Sequence, residues 1–216
     1  MLGERVLRGL QRFNDAHPWD HNAHYHPWIL RQLPRRAGTA LDAGCGSGDL
    51  ARLLAGRARH VDGVDTDPRI VARARELTPS GAPVTFHVAD ALTGPPHDAY
   101  DVITCVAALH HLPFTEALTA FRRRLAPGGT LVVVGLFRAR TLTDHLLGAL
   151  AVPLNAAVGW SRNKGRAAPR PVAPAARTRP AEMCYDDIVR EARRILPGAR
   201  LRRRLFWRYT LVWRHP

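Results

Sequence analysis

The stretch LDAGCGSGDL at residues 41–50 decides the fold of this chain. An apolar strand pattern ends at Asp42, and the chain then turns through Gly44, Gly46 and Gly48 into a helical pattern. Glycines are needed where the backbone takes positive φ and approaches a ligand without a Cβ in the way. A strand, a glycine-rich turn and a helix in this order predict a ligand-binding βα unit.

Short apolar runs alternate with helical patterns after this stretch. Strand patterns recur at 60–65, 84–90, 100–109 and 130–137, and two more lie near the end of the chain, at 201–205 and 209–213. Alternating strands and helices are typical of a parallel sheet with crossover helices, and the last two strands predict an antiparallel hairpin. We therefore expect an α/β fold with a Rossmann-like, doubly wound, mostly parallel sheet of seven strands.

Further signals follow the glycine turn in order. Asp65 ends the second strand pattern, Asp90 ends the third, and LAPGG at 125–129 precedes the fifth. With this ordered set the chain resembles the class I methyltransferases that use S-adenosylmethionine, and in particular the small-molecule group often called type 11. The resemblance covers roughly residues 38–137.

The resemblance implies S-adenosylmethionine as cofactor and assigns it a binding site. The methionine and ribose portion is expected at Asp42, Gly44, Cys45, Gly46 and Gly48, the ribose at Asp65, the adenine at Asp90 and Ala91, with Val106 lining the pocket. The glycines followed by Ala51 also fit the dinucleotide spacing G-x-G-x-x-A, so a nicotinamide dinucleotide is an alternative ligand. That alternative gives Asp90 no role.

Two adjacent histidines, His110 and His111, follow the fourth strand pattern, whose carboxyl end faces the expected cleft. An imidazole is neutral and basic near pH 7, so either ring can accept a proton from an acceptor hydroxyl. We favour His111 for catalysis and His110 for shaping the pocket. The alternative for each is a histidine that caps or packs against the next helix.

Residues 1–38 precede the sheet as a helical extension that contains HPWDHNAHYHPW at 17–28. We expect this extension to form a lid, with His21, His24, Tyr25 and Trp28 facing the cofactor or the acceptor; aromatic faces attract a sulfonium cation. The alternative is that these aromatic residues only pack the extension onto the sheet. We predict no metal site.

Composition limits the remaining possibilities. The 216 residues and 24.0 kDa favour one domain, which we place at 39–216 behind the lid at 1–38. The formal net charge is +14, of which +11 falls in residues 161–216. The Pro- and Arg-rich stretch 161–180 predicts a mobile basic loop.

Three cysteines, with no C-x-x-C pair, favour a reducing compartment, and the sequence holds neither a long apolar span nor an apolar run near its charged amino-terminal residues. We expect a soluble, cytoplasmic protein without a membrane span.

These observations predict an enzyme that transfers a methyl group to an O or N of a small molecule, such as a specialised metabolite or a quinone-like acceptor. Leucines within 138–160 suggest a cover over the acceptor and, with the nearby arginines, a hydrophobic or anionic acceptor. An RNA or tRNA methyltransferase is the main alternative because of the basic carboxy-terminal quarter, although no RNA-binding module is evident. A non-catalytic module that only binds the cofactor is the third possibility. The sequence does not indicate an oligomeric state.

Overall fold

The computed structural model describes residues 12–14, 16–166 and 179–216. Most of the basic stretch predicted to be a mobile loop, and the first eleven residues of the extension, lie outside the described residues. Across the described part of the chain, no helix is long and apolar enough to cross a membrane.

One seven-stranded sheet forms the centre of the fold, and it confirms the predicted architecture. Its strands are β1 (Ala37–Ala43), β2 (Ala58–Asp65), β3 (Val84–Val88), β4 (Tyr100–Val106), β5 (Leu125–Leu136), β6 (Arg200–Arg204) and β7 (Arg208–Arg214). Their order across the sheet is β3-β2-β1-β4-β5-β7-β6, and only the pairs β5–β7 and β6–β7 are antiparallel.

Six α-helices accompany the strands in the described residues. They are α1 (His26–Gln32), α2 (Asp49–Leu54), α3 (Pro68–Glu76), α4 (Phe114–Arg124), α5 (Leu142–Arg162) and α6 (Tyr185–Ile195). A buried cluster on one side of the sheet includes Phe121 of α4 and Ile188 of α6. A second buried cluster includes Ile29 of α1, Ala51 of α2 and Val71 of α3. The sheet is thus covered on both faces, as a doubly wound fold requires.

The strand register brings the functional positions to one edge. Asp42 pairs with Gly63 of β2 and with Thr104 of β4, and Asp65 pairs with Val88 of β3. Because these strands are parallel, their carboxyl ends lie at the same edge of the sheet. The strand order reverses between β1 and β4, which is where open α/β sheets bind ligands.

Three leucines of the long helix α5 point away from the protein, whereas Leu154 packs against it. Leu142, Leu146 and Leu150 have exposed fractions of 76%, 61% and 52%. The opposite face of α5 is buried, and Ala151 packs there against Trp19 and Phe206. These three leucines do not line the cleft, so the cover over the acceptor that the sequence suggested is still a prediction.

A buried carboxylate on β2, which sequence reasoning did not single out, joins the first strands of the sheet to the segment before β4. Oδ1 of Asp62 lies 3.1 Å from Nε2 of His60 and 3.0 Å from Nε2 of His87. Its Oδ2 lies 2.7 Å from Nδ1 of His97 and accepts a 3.0 Å hydrogen bond from the Tyr100 hydroxyl. Burial by itself raises the pKa of Asp62, but these four hydrogen bonds outweigh it and hold the pKa below its usual value.

Replacing this carboxylate should destabilise the fold. We expect Asp62→Ala to lower the free energy of unfolding at pH 7 by about 1–3 kcal/mol, because the buried Tyr100 hydroxyl and three partly exposed histidines lose their shared acceptor. A depressed carboxyl pKa contributes stability above the unfolded-state pKa, and that contribution is lost as the pH falls through the lower folded-state pKa. Urea unfolding at pH 7 and pH 3 measures both effects. Asp62→Asn, which keeps one carbonyl oxygen, should lose less; equal stability of wild type and Asp62→Ala at pH 7 contradicts the expectation.

Candidate active site

A cleft of about 700 Å³ lies at the carboxyl edge of the sheet. The glycine turn after β1, the ends of β2 and β4 and the chain that follows β3 line it, together with residues of the amino-terminal extension. The sequence-predicted residues in its lining are Asp42, Gly44, Cys45, Gly46, Asp65, Ala91, Val106 and His111. Most of the predicted cofactor positions therefore surround one cavity.

The glycine turn brings bare backbone to the cleft. Gly44, Gly46 and Gly48 have φ of 75°, 51° and 78°, a region that L side chains rarely adopt. A Cβ on Gly44 would come within 2.3 Å of the Ala108 Cβ, and one on Gly48 within 2.5 Å of the Phe86 ring. Gly48 precedes α2 and does not line the cleft itself; its role is to let the chain enter that helix.

Asp65 closes the turn from the β2 side. Its Oδ2 accepts a 3.0 Å hydrogen bond from the Gly46 amide, and its Oδ1 accepts one of 3.0 Å from the Asp67 amide. Each carboxylate oxygen has a further lone pair, so the two amides orient the group without exhausting it. Asp65 is thereby fixed at the cleft with lone pairs that can accept further hydrogen bonds.

Asp42 is buried beneath the turn, with 2% exposure. The Thr104 hydroxyl donates a 2.8 Å hydrogen bond to its Oδ1. Burial raises the pKa of Asp42 to about 7, with a smaller contribution from the nearby Asp65 charge. The side chain therefore changes its charge close to neutral pH, next to the bottom of the cleft.

The raised pKa predicts a pH-dependent stability. Between pH 4 and pH 7 the folded protein keeps a proton on Asp42 that the unfolded chain releases, so stability falls as the pH rises through that window. We expect Asp42→Asn to raise the Tm of the ligand-free protein at pH 8 and to change it little at pH 4. Calorimetry at both pH values measures this. A lower Tm for Asp42→Asn at pH 8 contradicts the assignment.

Asp90 occupies a different position from its neighbours. Its Oδ1 accepts hydrogen bonds of 2.8 Å and 3.2 Å from the amides of Leu92 and Thr93, which closes the turn after β3. Ala89 and Ala91 line the cleft, whereas Asp90 is exposed and lies outside the lining. A role for Asp90 toward adenine is therefore still a prediction.

The two histidines after β4 separate into different environments. His111 is exposed at the cleft and lines it. His110 lies outside the lining, with its Nδ1 buried and without a hydrogen-bond partner among the described residues. Burial, with smaller contributions from His111 and Arg208, lowers the pKa of His110 to about 4. Of the two rings, only His111 lines the cleft in the ligand-free protein.

The four residues predicted to line a lid pack elsewhere. Nε2 of His21 lies 2.7 Å from the Asn155 Oδ1 of α5, and His24 packs edge-on against Phe206. The Tyr25 hydroxyl donates a 2.7 Å hydrogen bond to the Leu205 carbonyl, and the Arg204 guanidinium lies over the Trp28 ring at 5.1 Å. The structure therefore holds these side chains against α5 and the β6–β7 turn, which is the packing alternative. None of the four lines the cleft, and their stacking on the cofactor or the acceptor is still a prediction.

The extension still reaches the cleft, through residues that sequence reasoning passed over. Asp20, Asn22 and His26 line it from the amino-terminal side. Asn22 and His26 are four residues apart, a spacing that places two side chains on one helical face. The four-residue spacing of Asn22 and His26 is visible in the sequence, but the aromatic residues around it were the more obvious candidates for ligand contact.

The cleft fits an adenosyl ligand with an amino acid tail. A cofactor needs side-chain-free backbone at its centre, which Gly44 and Gly46 provide, and an anchored carboxylate for ribose hydroxyls, which Asp65 provides. Cys45 lines the cleft with a thiol that stays protonated, since burial raises its pKa far above neutral. It fills space beside the turn.

Comparison with known proteins agrees with this geometry. A family model described as "Methyltransferase domain" matches residues 40–129. An uncharacterised methyltransferase of Mycobacterium tuberculosis is 32% identical over 206 residues, which span 92% of this chain and 98% of that protein. A ubiquinone biosynthesis O-methyltransferase of Paraburkholderia phytofirmans is 36% identical over 137 residues, or 56% of this chain and 59% of the relative.

The solved structures show the same fold. The N-methyltransferase NodS from Bradyrhizobium japonicum in complex with S-adenosyl-L-homocysteine superposes with a TM-score of 0.60 at 19% identity, and 97% of each chain is covered. The mycobacterial relative matches along nearly its whole length, and the glycine turn and strand-end carboxylate fit the cofactor of this fold. The chain therefore belongs to the class I S-adenosylmethionine-dependent methyltransferases.

Proposed function

We propose that this enzyme methylates an O or N of a small molecule, such as a specialised metabolite or a quinone-like acceptor, with His111 as the general base. The observation that carries the proposal is that His111 lines the same cleft as Gly44, Gly46 and Asp65. An imidazole beside the cofactor site is what proton removal from an acceptor hydroxyl or amine requires. The ubiquinone biosynthesis O-methyltransferase among the relatives supports an acceptor of this class.

The residues of the chain divide the work of the reaction. When bound, S-adenosylmethionine supplies an electrophilic methyl group on a sulfonium. Asp65 orients the ribose, the glycine turn admits the amino acid tail, and Val106 and Ala91 shape the pocket for the rest. His111 holds the proton that the acceptor loses. Most of the rate enhancement then comes from positioning, which can supply roughly 7–11 kcal/mol of a two-reactant barrier.

We propose that residues 1–38 act as a substrate-side cover in front of a catalytic domain at 39–216. Asn22 and His26 line the cleft, which supports this role, and His21, His24, Tyr25 and Trp28 hold the cover in place. Deleting the segment is a poor test, because Ile29 is fully buried in the core. The point variant Asn22→Ala leaves that core intact and should raise the KM for the acceptor.

The RNA alternative is supported by the +11 charge of residues 161–216. Some of these arginines pair with neighbouring acids, as Arg190 does with Asp187 and Arg194 with Glu191. Salt-sensitive binding of bulk tRNA, with methyl transfer to it, would favour RNA as acceptor.

We also retain the prediction of a cytoplasmic protein, which the three free and buried thiols support.

One assay tests the proposed function. Purified enzyme and radiolabelled S-adenosylmethionine are incubated with a small-molecule extract and, separately, with bulk tRNA. We expect label in low-molecular-mass products only. Label in tRNA alone moves the function to the RNA class, and cofactor binding without label in any fraction supports the non-catalytic module.

A further inference from the structure

Arg208 is a half-buried arginine beside the active site, and it forms no salt bridge with a carboxylate of the described residues. Arg208 is the first residue of β7 and pairs in register with Leu136 at the carboxyl end of β5, the edge that carries the cleft. Its Nη1 donates to the Phe206 carbonyl at 3.3 Å and its Nη2 to the Asn22 Oδ1 at 3.0 Å. Its Nε is buried and has no partner among the described residues. Both acceptors are neutral.

The other arginines of the same hairpin show that this arrangement is unusual. Arg203 binds Asp144 Oδ1 at 2.9 Å and Asp186 Oδ1 at 3.0 Å. Arg204 lies over the Trp28 ring, and Arg202 is exposed to solvent. Arg208 alone among the hairpin's described arginines is removed from water with no carboxylate at salt-bridge distance and no aromatic face over its guanidinium; Asp20 is near enough to raise its pKa, but burial outweighs that effect. Burial lowers its pKa, which reports the cost of that position.

A second unpartnered polar atom lies in the same neighbourhood. Nδ1 of His110 is buried and bonds to nothing in the described part of the chain, and Arg208 is close enough to influence the pKa of this ring. Both groups adjoin the cleft through a neighbour that lines it. Arg208 donates to Asn22, and the His110 ring lies tilted against the His111 ring with centroids 4.0 Å apart. Buried polar groups normally have partners, so two orphans at one place indicate a ligand group.

We propose that Arg208 binds a carboxylate of the methyl acceptor, with His110 as a second hydrogen-bond partner, so that the acceptor is an organic acid. A guanidinium matches a carboxylate in a planar, two-point arrangement and strongly prefers it to neutral groups. The carboxylate supplies the missing counter-charge of Arg208, and the reactive O or N of the same molecule then extends toward His111. This inference rests on the proposed small-molecule function and narrows its acceptor to an acid.

Binding tests the anchor without requiring turnover. The full chain saturated with S-adenosyl-L-homocysteine is titrated, by thermal shift, with acetate, succinate and benzoate and with the matching amides. We expect at least one acid to raise the Tm saturably, its amide to do so far less, and Arg208→Gln to abolish the difference. If no acid binds better than its amide, or if Arg208→Gln responds as wild type does, the anchor is wrong.

Turnover separates the anchor from the proposed function. The metabolite extract is first divided on an anion-exchange column, and each part is offered to the enzyme with labelled cofactor. We expect label in the retained, anionic part. For that acceptor the KM should rise roughly 10- to 100-fold in Arg208→Gln, with partial recovery in Arg208→Lys and no change in the exposed control Arg202→Gln. Label only from the unretained part overturns the anchor but not the function. If neither part is labelled, the proposed small-molecule function is wrong. The thermal-shift titration then decides whether Arg208 binds a carboxylate.

Discussion

Gly44→Ala should weaken binding of S-adenosyl-L-homocysteine by at least about 100-fold and lower the Tm. An added Cβ would sit 2.3 Å from the Ala108 Cβ, far inside van der Waals contact, at a backbone φ of 75°. Relief of that contact must move the chain after β4 or the glycine turn itself, and both line the cleft. Isothermal titration and calorimetry on the same preparation measure the two effects.

Gly81→Ala provides the matched control. Gly81 has a similar φ of 84°, but no atom lies within 4 Å of its added Cβ. Its cost is therefore backbone strain alone, roughly 1 kcal/mol, with no effect on affinity. If Gly44→Ala and Gly81→Ala have the same affinity for S-adenosyl-L-homocysteine and the same Tm, the close contact between Gly44 and Ala108 does not matter for cofactor binding.

His111→Ala should lower kcat by roughly 10²- to 10⁴-fold, the usual contribution of a general base. Its affinity for S-adenosyl-L-homocysteine should stay within about twofold of wild type, because Asp65 and the glycine turn hold that ligand. Single-turnover kinetics with the acceptor identified by labelling measure the chemical step directly.

His145→Ala removes an exposed histidine of α5 and should leave kcat unchanged. His110→Ala should act mainly on the KM for the acceptor, since His110 lies near enough to Arg208 for that charge to lower its pKa, and a pKa of about 4 keeps the ring neutral above about pH 5. Full turnover in His111→Ala would show that His111 is not the general base. The rate enhancement would then come from positioning of the two reactants.

The sheet was predictable because its signals are local and repeated. Short apolar runs indicated the first five strands, and glycine or acidic residues mark the ends of β1, β2 and β3. Pro113 directly precedes α4, and Pro68 is the first residue of α3. The glycine turn was equally readable, since positive φ at three alternate positions leaves little choice of residue type. Asp65 followed from its place at the end of β2.

The acceptor side was not predictable, because long-range contacts determine it. Tyr25 and Trp28 read as ligand-stacking residues, but the β6–β7 turn, some 180 positions later, takes them as packing partners. Leucines on α5 suggested a cover over the acceptor, but Leu142, Leu146 and Leu150 are exposed, and the helix buries Ala151 against Trp19 and Phe206. Arg208 has no local pattern at all; only the pairing of β7 with β5 brings it to the cleft edge.

The central claim is that strand-end carboxylates and a glycine turn without side chains form the S-adenosylmethionine site. Titration of S-adenosyl-L-homocysteine into wild type and into Asp65→Asn tests this claim most directly. We predict saturable one-to-one binding to wild type, no binding of NADH, and affinity roughly 10- to 100-fold weaker in Asp65→Asn, which loses a charged hydrogen-bond acceptor. The exposed control Asp98→Asn should bind as wild type does. Equal affinity in wild type and Asp65→Asn, or binding of NADH in place of the nucleoside, would contradict the account.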